Sequence, residues 1–451
     1  MRGDDLKRFE GLEEENLKLK EENSLLRLEL KELKDRIYGR RKKKEDPPQA
    51  AQPPPKKRGA LFGHLGWFRK TPGKIDKIVQ VRLDRCPHCG GSDLTECSGV
   101  KSHIQEDLVF VQPLVTEYRK HRYYCCSCKK SVIGKGEGEI DHGRIGPLAK
   151  ALAAYLKYQA KVSDRDIKKM FHELFGLKFT LGSVHGFRNQ LKDRLSPVYE
   201  NLLRQIRRSK FVHADETGWN IDGKSGWLWN FSNKRTAVCH IDHSRGGKVP
   251  KAILGDSYKG ILIADFYPAY DKITSRAKQR CLVHLLRDLK RIEECTARND
   301  PARLFAERLK TLIFQAVELS EKRTSLTAPT YKLRRNKIVE AFEDVKLGDP
   351  ANKIIHRIVK RLTRYRHECL TFLDEPDIPW HNNHAERMIR PNVLLRKVTF
   401  GNRSAGGTQN HNVLMSIIQT AKLRKIDPLN ALRELIVNHG SVRAMSGLNS
   451  P

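Results

Sequence analysis

The sequence predicts a multidomain α+β protein, and three observations carry that expectation. A leucine heptad opens the chain, two Cys-x-x-Cys turns follow, and beyond a helical stretch come short apolar runs that end on acidic residues. At 451 residues the chain is long enough for two to four domains with cores of their own. Its 86 Lys+Arg against 53 Asp+Glu leave a formal charge of +33. Such an excess concentrates anions and favours a polyanionic partner, most simply nucleic acid, although a merely basic or ribosome-associated protein has the same balance.

No uncharged apolar run reaches about 18 residues, so no membrane span is expected. A charged helix at the start is unlike a secretory signal. Six of the ten cysteines fall between Cys86 and Cys128. Clustered cysteines in such a chain point to a metal and a reducing, cytoplasmic setting rather than to disulfides.

Residues 1–37 carry the heptad. Leu12, Leu19, Leu26 and Leu33 fall at d, and Phe9, Asn16, Asn23, Leu30 and Ile37 at a. In a parallel pair of such helices Glu15 meets Lys20, Glu22 meets Arg27 and Glu29 meets Lys34, all opposite in sign. The two Asn at a penalise other registers, so a parallel coiled-coil homodimer is expected. The competing reading is a single helix that touches another part of its own chain.

Residues 38–75 form a basic, Pro-rich linker, with 11 Lys/Arg against 2 Asp/Glu between Tyr38 and Lys74. Residues 76–135 hold Cys86-Pro87-His88-Cys89 and Cys125-Cys126-Ser127-Cys128. Two such turns suit one structural zinc in a ribbon-like module, with Cys86, Cys89, Cys125 and Cys128 as ligands. Cys126 competes with its neighbours, and Cys97 has no assigned role.

Residues 145–208 read as three helices, the second capped by Ser163 and closing near Gly176, the third starting at Thr180. That arrangement suits a helix-turn-helix reader of DNA, with Arg188 and Lys192 as candidate contacts. An ordinary helical spacer fits equally well.

From Lys210 the pattern turns to strands: Phe211–Ala214, Trp227–Phe231 and Ala237–Ile241, then a helix over Gly247–Leu254 and a strand ending at Asp265. A further run ends at Cys281–His284, and about a hundred charged, helical residues precede Glu386. The order matches a ribonuclease H-like core in two parts, 209–284 and 376–424, separated by helical residues 285–375, with a C-terminal helix and tail at 425–451. Asp215, Asp265 and Glu386 stand where such a core places acids. Three carboxylates there repel one another unless divalent cations neutralise them. Oxygen-only ligands favour two Mg²⁺ or Mn²⁺, which activate a water or 3′-hydroxyl and stabilise the leaving oxygen at phosphorus. Arg387 and Arg390 can fork onto phosphate, with Asn382 or Asn383 capping the helix. Glu216, Asp256 and Asp271 compete for the acidic roles. Trp219, Trp227 and Trp229 could stack on a base but more often belong to a core.

Three stretches carry a resemblance: His213-Ala214-Asp215-Glu216-Thr217-Gly218-Trp219, Ala264-Asp265-Phe266-Tyr267-Pro268-Ala269-Tyr270, and Asn382-Asn383-His384-Ala385-Glu386-Arg387. They resemble the acidic motifs of the insertion-sequence-sixty-six family of DDE transposases, as do Arg390-Pro391 and Phe400–Gly407 and the order of modules along nearly the whole chain. The resemblance implies Asp215, Asp265 and Glu386 as the triad and matches Cys281 and His284 to a Cys-x-x-His signature. It implies cleavage at transposon terminal inverted repeats, 3′-hydroxyl strand transfer into target DNA, small companion proteins, and a bacterial, nucleoid-associated setting. Two other readings remain at this point: a catalytically silent DNA-binding regulator derived from such an enzyme, and a structure-specific nuclease on the same fold.

Overall fold

The computed structural model describes residues 15, 18–33, 74–80, 82–85, 87–92, 104, 112–134, 136, 139, 143–345 and 353–437. The chain divides into two compact units, Met1–Gly39 with Gln112–Pro451, and Arg40–Val111. In the smaller unit the described residues include a turn at Pro87-His88-Cys89, with Cys89 exposed. Cys86 and Cys97 lie outside the described residues, as does most of the basic linker.

In the larger unit, helix α1 (residues 18–33) shows two faces. The seam leucines Leu19, Leu26, Leu30 and Leu33 are all 51–57% exposed. The opposite side is occupied: Leu28 is buried and Leu25 packed in the core of the helical insertion. Lys31 pairs there with Glu294, and Arg357 donates to Glu32 at 3.3 Å. Positions 25, 28, 31 and 32 are c, f, b and c of the heptad. The helix therefore touches its own chain through the face that the heptad leaves to solvent, and keeps its a/d seam open.

A small hairpin, β1 (Arg122–Cys125) and β2 (Lys130–Ile133), holds the second cysteine turn at its tip. Next come α2 (Pro147–Tyr158), α3 (Asp164–Phe175) and α4 (Leu181–Arg207). Their boundaries follow local chemistry. The Ser163 side chain accepts from the Asp166 N–H, α3 closes on Gly176 at φ +65°, and Thr180 accepts from the Ser183 N–H. The inward side of α4, from Leu191 to Ile206, belongs to the main core.

That core lies against a five-stranded sheet in the order β5-β4-β3-β6-β7. Strands β3 (Phe211–Ile221), β4 (Lys224–Ser232) and β5 (Ala237–Asp242) are antiparallel; β6 (Ser257–Ala264) and β7 (Thr274–Arg280) run parallel to β3, with α5 (Lys248–Leu254) crossing between β5 and β6. Two boundaries differ from the sequence reading. Strand β3 continues seven residues past Ala214, because its pairing with β4 persists to Ile221↔Lys224. The run expected to end a strand at His284 stops at Arg280, and Cys281 caps a helix instead.

The helical insertion consists of α6 (Leu282–Cys295), α7 (Pro301–Glu321), α8 (Ala328–Val345) and α9 (His356–Cys369), and has a core of its own. The chain then returns through α10 (Asn383–Thr399), α11 (Ala405–Leu423) and α12 (Pro428–Val437). A corner at Phe400-Gly401-Asn402 joins α10 to α11. Gly401, at φ +117°, has the Asn220 carbonyl oxygen 2.3 Å from where a Cβ would stand, so no larger residue fits. Among the described residues no helix is long and apolar enough to cross a membrane.

Helix α11 covers the free edge of β5. Backbone N–H groups of Ala237, Cys239 and Ile241 donate to the side chains of Thr420, Ser416 and Asn412 at 3.1, 2.8 and 3.0 Å. Alternate strand residues advance about 6.6 Å and every fourth helical residue about 6 Å, so the two ladders stay in step. An edge that could pair with another chain is closed. His411, fully buried beside this ladder, donates to Asn392 at 2.8 Å, and burial pulls its pKa down to about 3.

Two outcomes follow for stability. Ser416→Ala strands the buried Cys239 N–H and is expected to cost about 1–3 kcal/mol in urea denaturation. His411 is protonated in the unfolded chain but not the folded one below its ordinary pKa of 6.5, so its stabilising effect is complete above that value and lost as pH falls toward 3. Between pH 7 and 5 the loss is about 2 kcal/mol, and His411→Gln should remove that part of the pH dependence.

Candidate active site

The pairing of β3 with β6 sets the site. Phe211↔Ile261, Val212↔Leu262 and His213↔Ile263 are in register, and two residues further the same register brings Asp215 level with Asp265. Adjacent strands lie about 4.8 Å apart, so two carboxylates meet where β6 ends and β3 continues alone with β4. Asp265 is fixed through its backbone and neighbours. The Tyr267 N–H donates to its carboxylate at 2.9 Å, and Arg280 donates to its carbonyl at 2.8 Å. Arg280 is itself buried and held by Asp271 and Glu368 at 2.6 and 2.5 Å.

Glu386 arrives on the first turn of α10. Asn382 sits at the N-cap, but its side chain makes no cap bond. It donates instead to the Ala214 carbonyl at 2.8 Å and accepts from His213 Nδ1–H at 2.9 Å, while its own N–H donates to Cys281 Sγ at 3.1 Å. This one residue ties the start of α10 to β3 and to the end of β7. Burial keeps His213 neutral, with a pKa near 3. Glu386 lies 3.9 Å from His284.

The competing carboxylates are sorted by their partners. Glu216 accepts from Tyr270 Oη at 2.5 Å and from Arg245 at 3.0 Å. Asp271 is bound by Arg280, Arg364 and Tyr365, and Asp256 by Lys251 at 3.0 Å. Among the described residues Asp215 and Asp265 have no Lys or Arg within ion-pair reach, and Glu386 pairs with neither Arg387 nor Arg390. The consequence shows in the Asp215 carboxyl, which is held well above the usual carboxylate range by burial, then by the charges of Glu216 and Asp265 and, more weakly, of Glu386. Burial and the charges of Glu216, Asp215 and Asp265 likewise push Tyr270 up. No three His, Cys, Asp or Glu side chains among the described residues converge closely enough to hold one ion. The carboxylates are thus neighbours in field and position without forming a closed ligand sphere.

Arg387 and Arg390 are exposed on α10 beside Glu386. Lys192 pairs with Asp193. Arg188, expected to face DNA, is buried instead: its guanidinium donates twice to Asp164 at 2.6 and 3.0 Å and locks α3 to α4. An Asp at the first position of α3 attracts it, and its fork is filled. Trp219 and Trp229 are core residues, with indole N–H groups donating to Asn402 and Ser244. Trp227 is only partly buried, and Arg245 lies on it.

At the tip of the β1–β2 hairpin, the Lys129 N–H donates to the Cys125 carbonyl at 2.8 Å. Hydrogen bonds from Cys128 and Ser127 hold the Cys125 thiol below its ordinary pKa, which favours the thiolate a metal takes.

The chain matches the model of the Transposase IS66 family over residues 142–410, and that of the zinc-finger binding domain of transposase IS66 over residues 84–129. The first match spans more than half of the chain, which belongs to the Transposase IS66 family. Relatives in Sinorhizobium fredii include the uncharacterized protein y4jD, 22% identical over 83% of this chain and 78% of its own length. Another, y4hP, is 20% identical over 80% of this chain and 71% of its own length. A third, y4jO, is 32% identical over a shorter stretch, 15% of this chain and 21% of its own.

The Asn382 contacts and the clamps on Glu216 and Asp271 escape sequence reading, because each joins residues far apart along the chain. The signal nearest to hand was the Asn382-Asn383 pair, which suggested only a cap. Asn382→Ala removes two buried bonds that anchor α10 and is expected to lower stability by about 1–3 kcal/mol in chemical denaturation. A loss no larger than that of an exposed Asn→Ala control would show that Asn382 does not anchor the helix.

Proposed function

We propose that this chain is an active DNA transposase with a ribonuclease H-like core, in which Asp215, Asp265 and Glu386 are the catalytic carboxylates. The observation that carries the reading is charge selection. In a chain of net charge +33, these three acids have no Lys or Arg partner among the described residues, while the competing Glu216, Asp256 and Asp271 each have one. The strand order, antiparallel then parallel, with acids at the β3/β6 level and on a late helix, supports the fold assignment.

The oxygen-only donor set suits two Mg²⁺ or Mn²⁺, which when bound lower the pKa of the attacking water or 3′-hydroxyl and stabilise the leaving oxygen. Asp215 and Asp265 would hold that chemistry at the C-terminal end of β6, and Glu386 would close it from α10. In the first step a water oxygen bonds to phosphorus and the 3′-oxygen of the element end leaves. In the second that 3′-oxygen attacks a target phosphodiester, whose own 3′-oxygen leaves. No covalent bond to the protein is needed. Arg387, next to Glu386, and Arg390, one turn on, are exposed and would grip the phosphates of the terminal inverted repeat or target. Lys192 would contribute on the helical region.

Cys86, Cys89, Cys125 and Cys128 would hold one structural zinc, since all four lie within the zinc-finger match. The open a/d seam of α1, with its charge-matched flanks, would pair two copies on two element ends.

The test is divalent-cation-dependent cleavage of a duplex carrying the element's terminal inverted repeat. Asp215→Asn and Asp265→Asn should each lower cleavage by about a thousandfold or more while end binding persists. Either variant cutting at the parental rate contradicts the assignment. A parental protein that binds the end but never cuts it identifies a silent DNA-binding derivative instead.

A further inference from the structure

Beside the three unpaired acids lies a cation held more tightly than charge neutralisation requires. The Arg245 guanidinium stands between two aromatic rings, 4.2 Å from the centroid of Trp227 and 4.0 Å from that of Tyr267. Tyr267 also donates from its hydroxyl to the Arg245 carbonyl at 3.2 Å, which fixes the loop as well as the side chain. One edge of the guanidinium is occupied: Nε and Nη2 both donate to Glu216 Oε1, at 3.2 and 3.0 Å. The Glu216 side chain is only 2% exposed, and its second oxygen accepts from Tyr270. Yet Arg245 itself is 41% exposed, and its Nη1 makes no hydrogen bond among the described residues.

Each of these contacts removes a possible role. With both faces covered by rings, no base can stack on the guanidinium. With the Nε edge on Glu216, the group cannot swing away. What remains is an in-plane pair of N–H donors facing solvent, the geometry that matches two oxygens of a phosphate. A surface cation needed only to neutralise Glu216 would not need its free edge immobilised, because side-chain entropy opposes such ordering. Tyr267, whose ring covers the guanidinium, is also the residue whose N–H donates to the Asp265 carboxylate at 2.9 Å, so Arg245 lies close to the acids of the proposed site.

We propose that Arg245 is a fixed receptor for a DNA backbone phosphate close to the scissile one, and that Glu216, Trp227 and Tyr267 are the residues that aim it. The inference rests on the reading of this site as a DNA-cleaving one. Its role is to set the register of the strand against Asp215 and Asp265, which Arg387 and Arg390, exposed and free to move, do less sharply. Arg245 carries no sequence information, since it meets only the backbone.

The experiment uses the full chain and a duplex carrying the terminal inverted repeat, with methylphosphonates replacing single phosphates near the cleavage point. Because Arg245→Met alone leaves Glu216 buried and uncompensated, it is paired with Glu216→Gln, which keeps the Tyr270 contact. The parental protein is the reference, because Glu216→Gln by itself would remove the acceptor that aims Arg245. Relative to that reference, the double variant should bind the end about tenfold more weakly, and its slope of log Kd against log salt should be smaller by about one. One particular methylphosphonate should weaken the reference protein by a similar factor and have no further effect on the double variant. If the double variant changes neither affinity nor salt slope, or if every methylphosphonate acts equally on both proteins, the proposal is overturned. Binding is read without cleavage, so a catalytically silent chain with an Arg245-coupled phosphate would contradict the proposed function and leave this inference standing.

Discussion

The constraint on which the rest depends is negative charge left without a protein cation. Asp215 and Asp265 are brought level by the parallel pairing of β3 and β6, and Glu216 crowds the same place. Burial first, and then the charges of Glu216 and Asp265, push the Asp215 carboxyl up. The chain has cations to spare, and it uses them on the two competing acids: Arg245 on Glu216, Arg280 and Arg364 on Asp271. Leaving Asp215 and Asp265 alone keeps them available to something that is not part of the chain.

Holding that arrangement requires rigidity behind it. Helix α11 supplies side-chain acceptors to β5 where a sixth strand would otherwise supply carbonyls, so the sheet ends in a polar seam with its N–H groups satisfied. Asn382 ties α10 to β3 and to Cys281, and Asn402 joins the α10–α11 corner to the β3–β4 hairpin through Trp219 and the backbone of Asn220 and Asp222. Buried polar contacts of this kind are costly when half made, and the side chains of Asn382 and Asn402 are each paired through both oxygen and nitrogen. They convert three segments distant in sequence into one frame for the acids.

Much of this was legible in the sequence, for physical reasons. Short β-branched and aromatic runs bounded by turn residues gave β4, β5 and β6 nearly in place. Ser163, Gly176 and Thr180 marked helix ends, because capping is local chemistry. What could not be read depends on long-range contact. The continuation of β3 to Ile221 follows from its partner β4, and the end of β7 at Arg280 follows from a helix that Cys281 starts. Arg188 looked like a DNA contact because its charge was visible, whereas its partner Asp164 lies 24 residues away in sequence. The heptad shows only the leucine seam of helix α1, whereas Leu25 and Leu28 give it a second face that only the insertion's core reveals.

The proposed chemistry requires those lone acids to gather divalent cations. Anomalous diffraction from crystals of the full chain grown with Mn²⁺ and an element-end duplex is the most direct measurement. Two peaks about 3.5–4 Å apart, bounded by the carboxylates of Asp215, Asp265 and Glu386, are the predicted result. Manganese bound elsewhere, or no peak beside Asp215 and Asp265 with DNA in place, would contradict it.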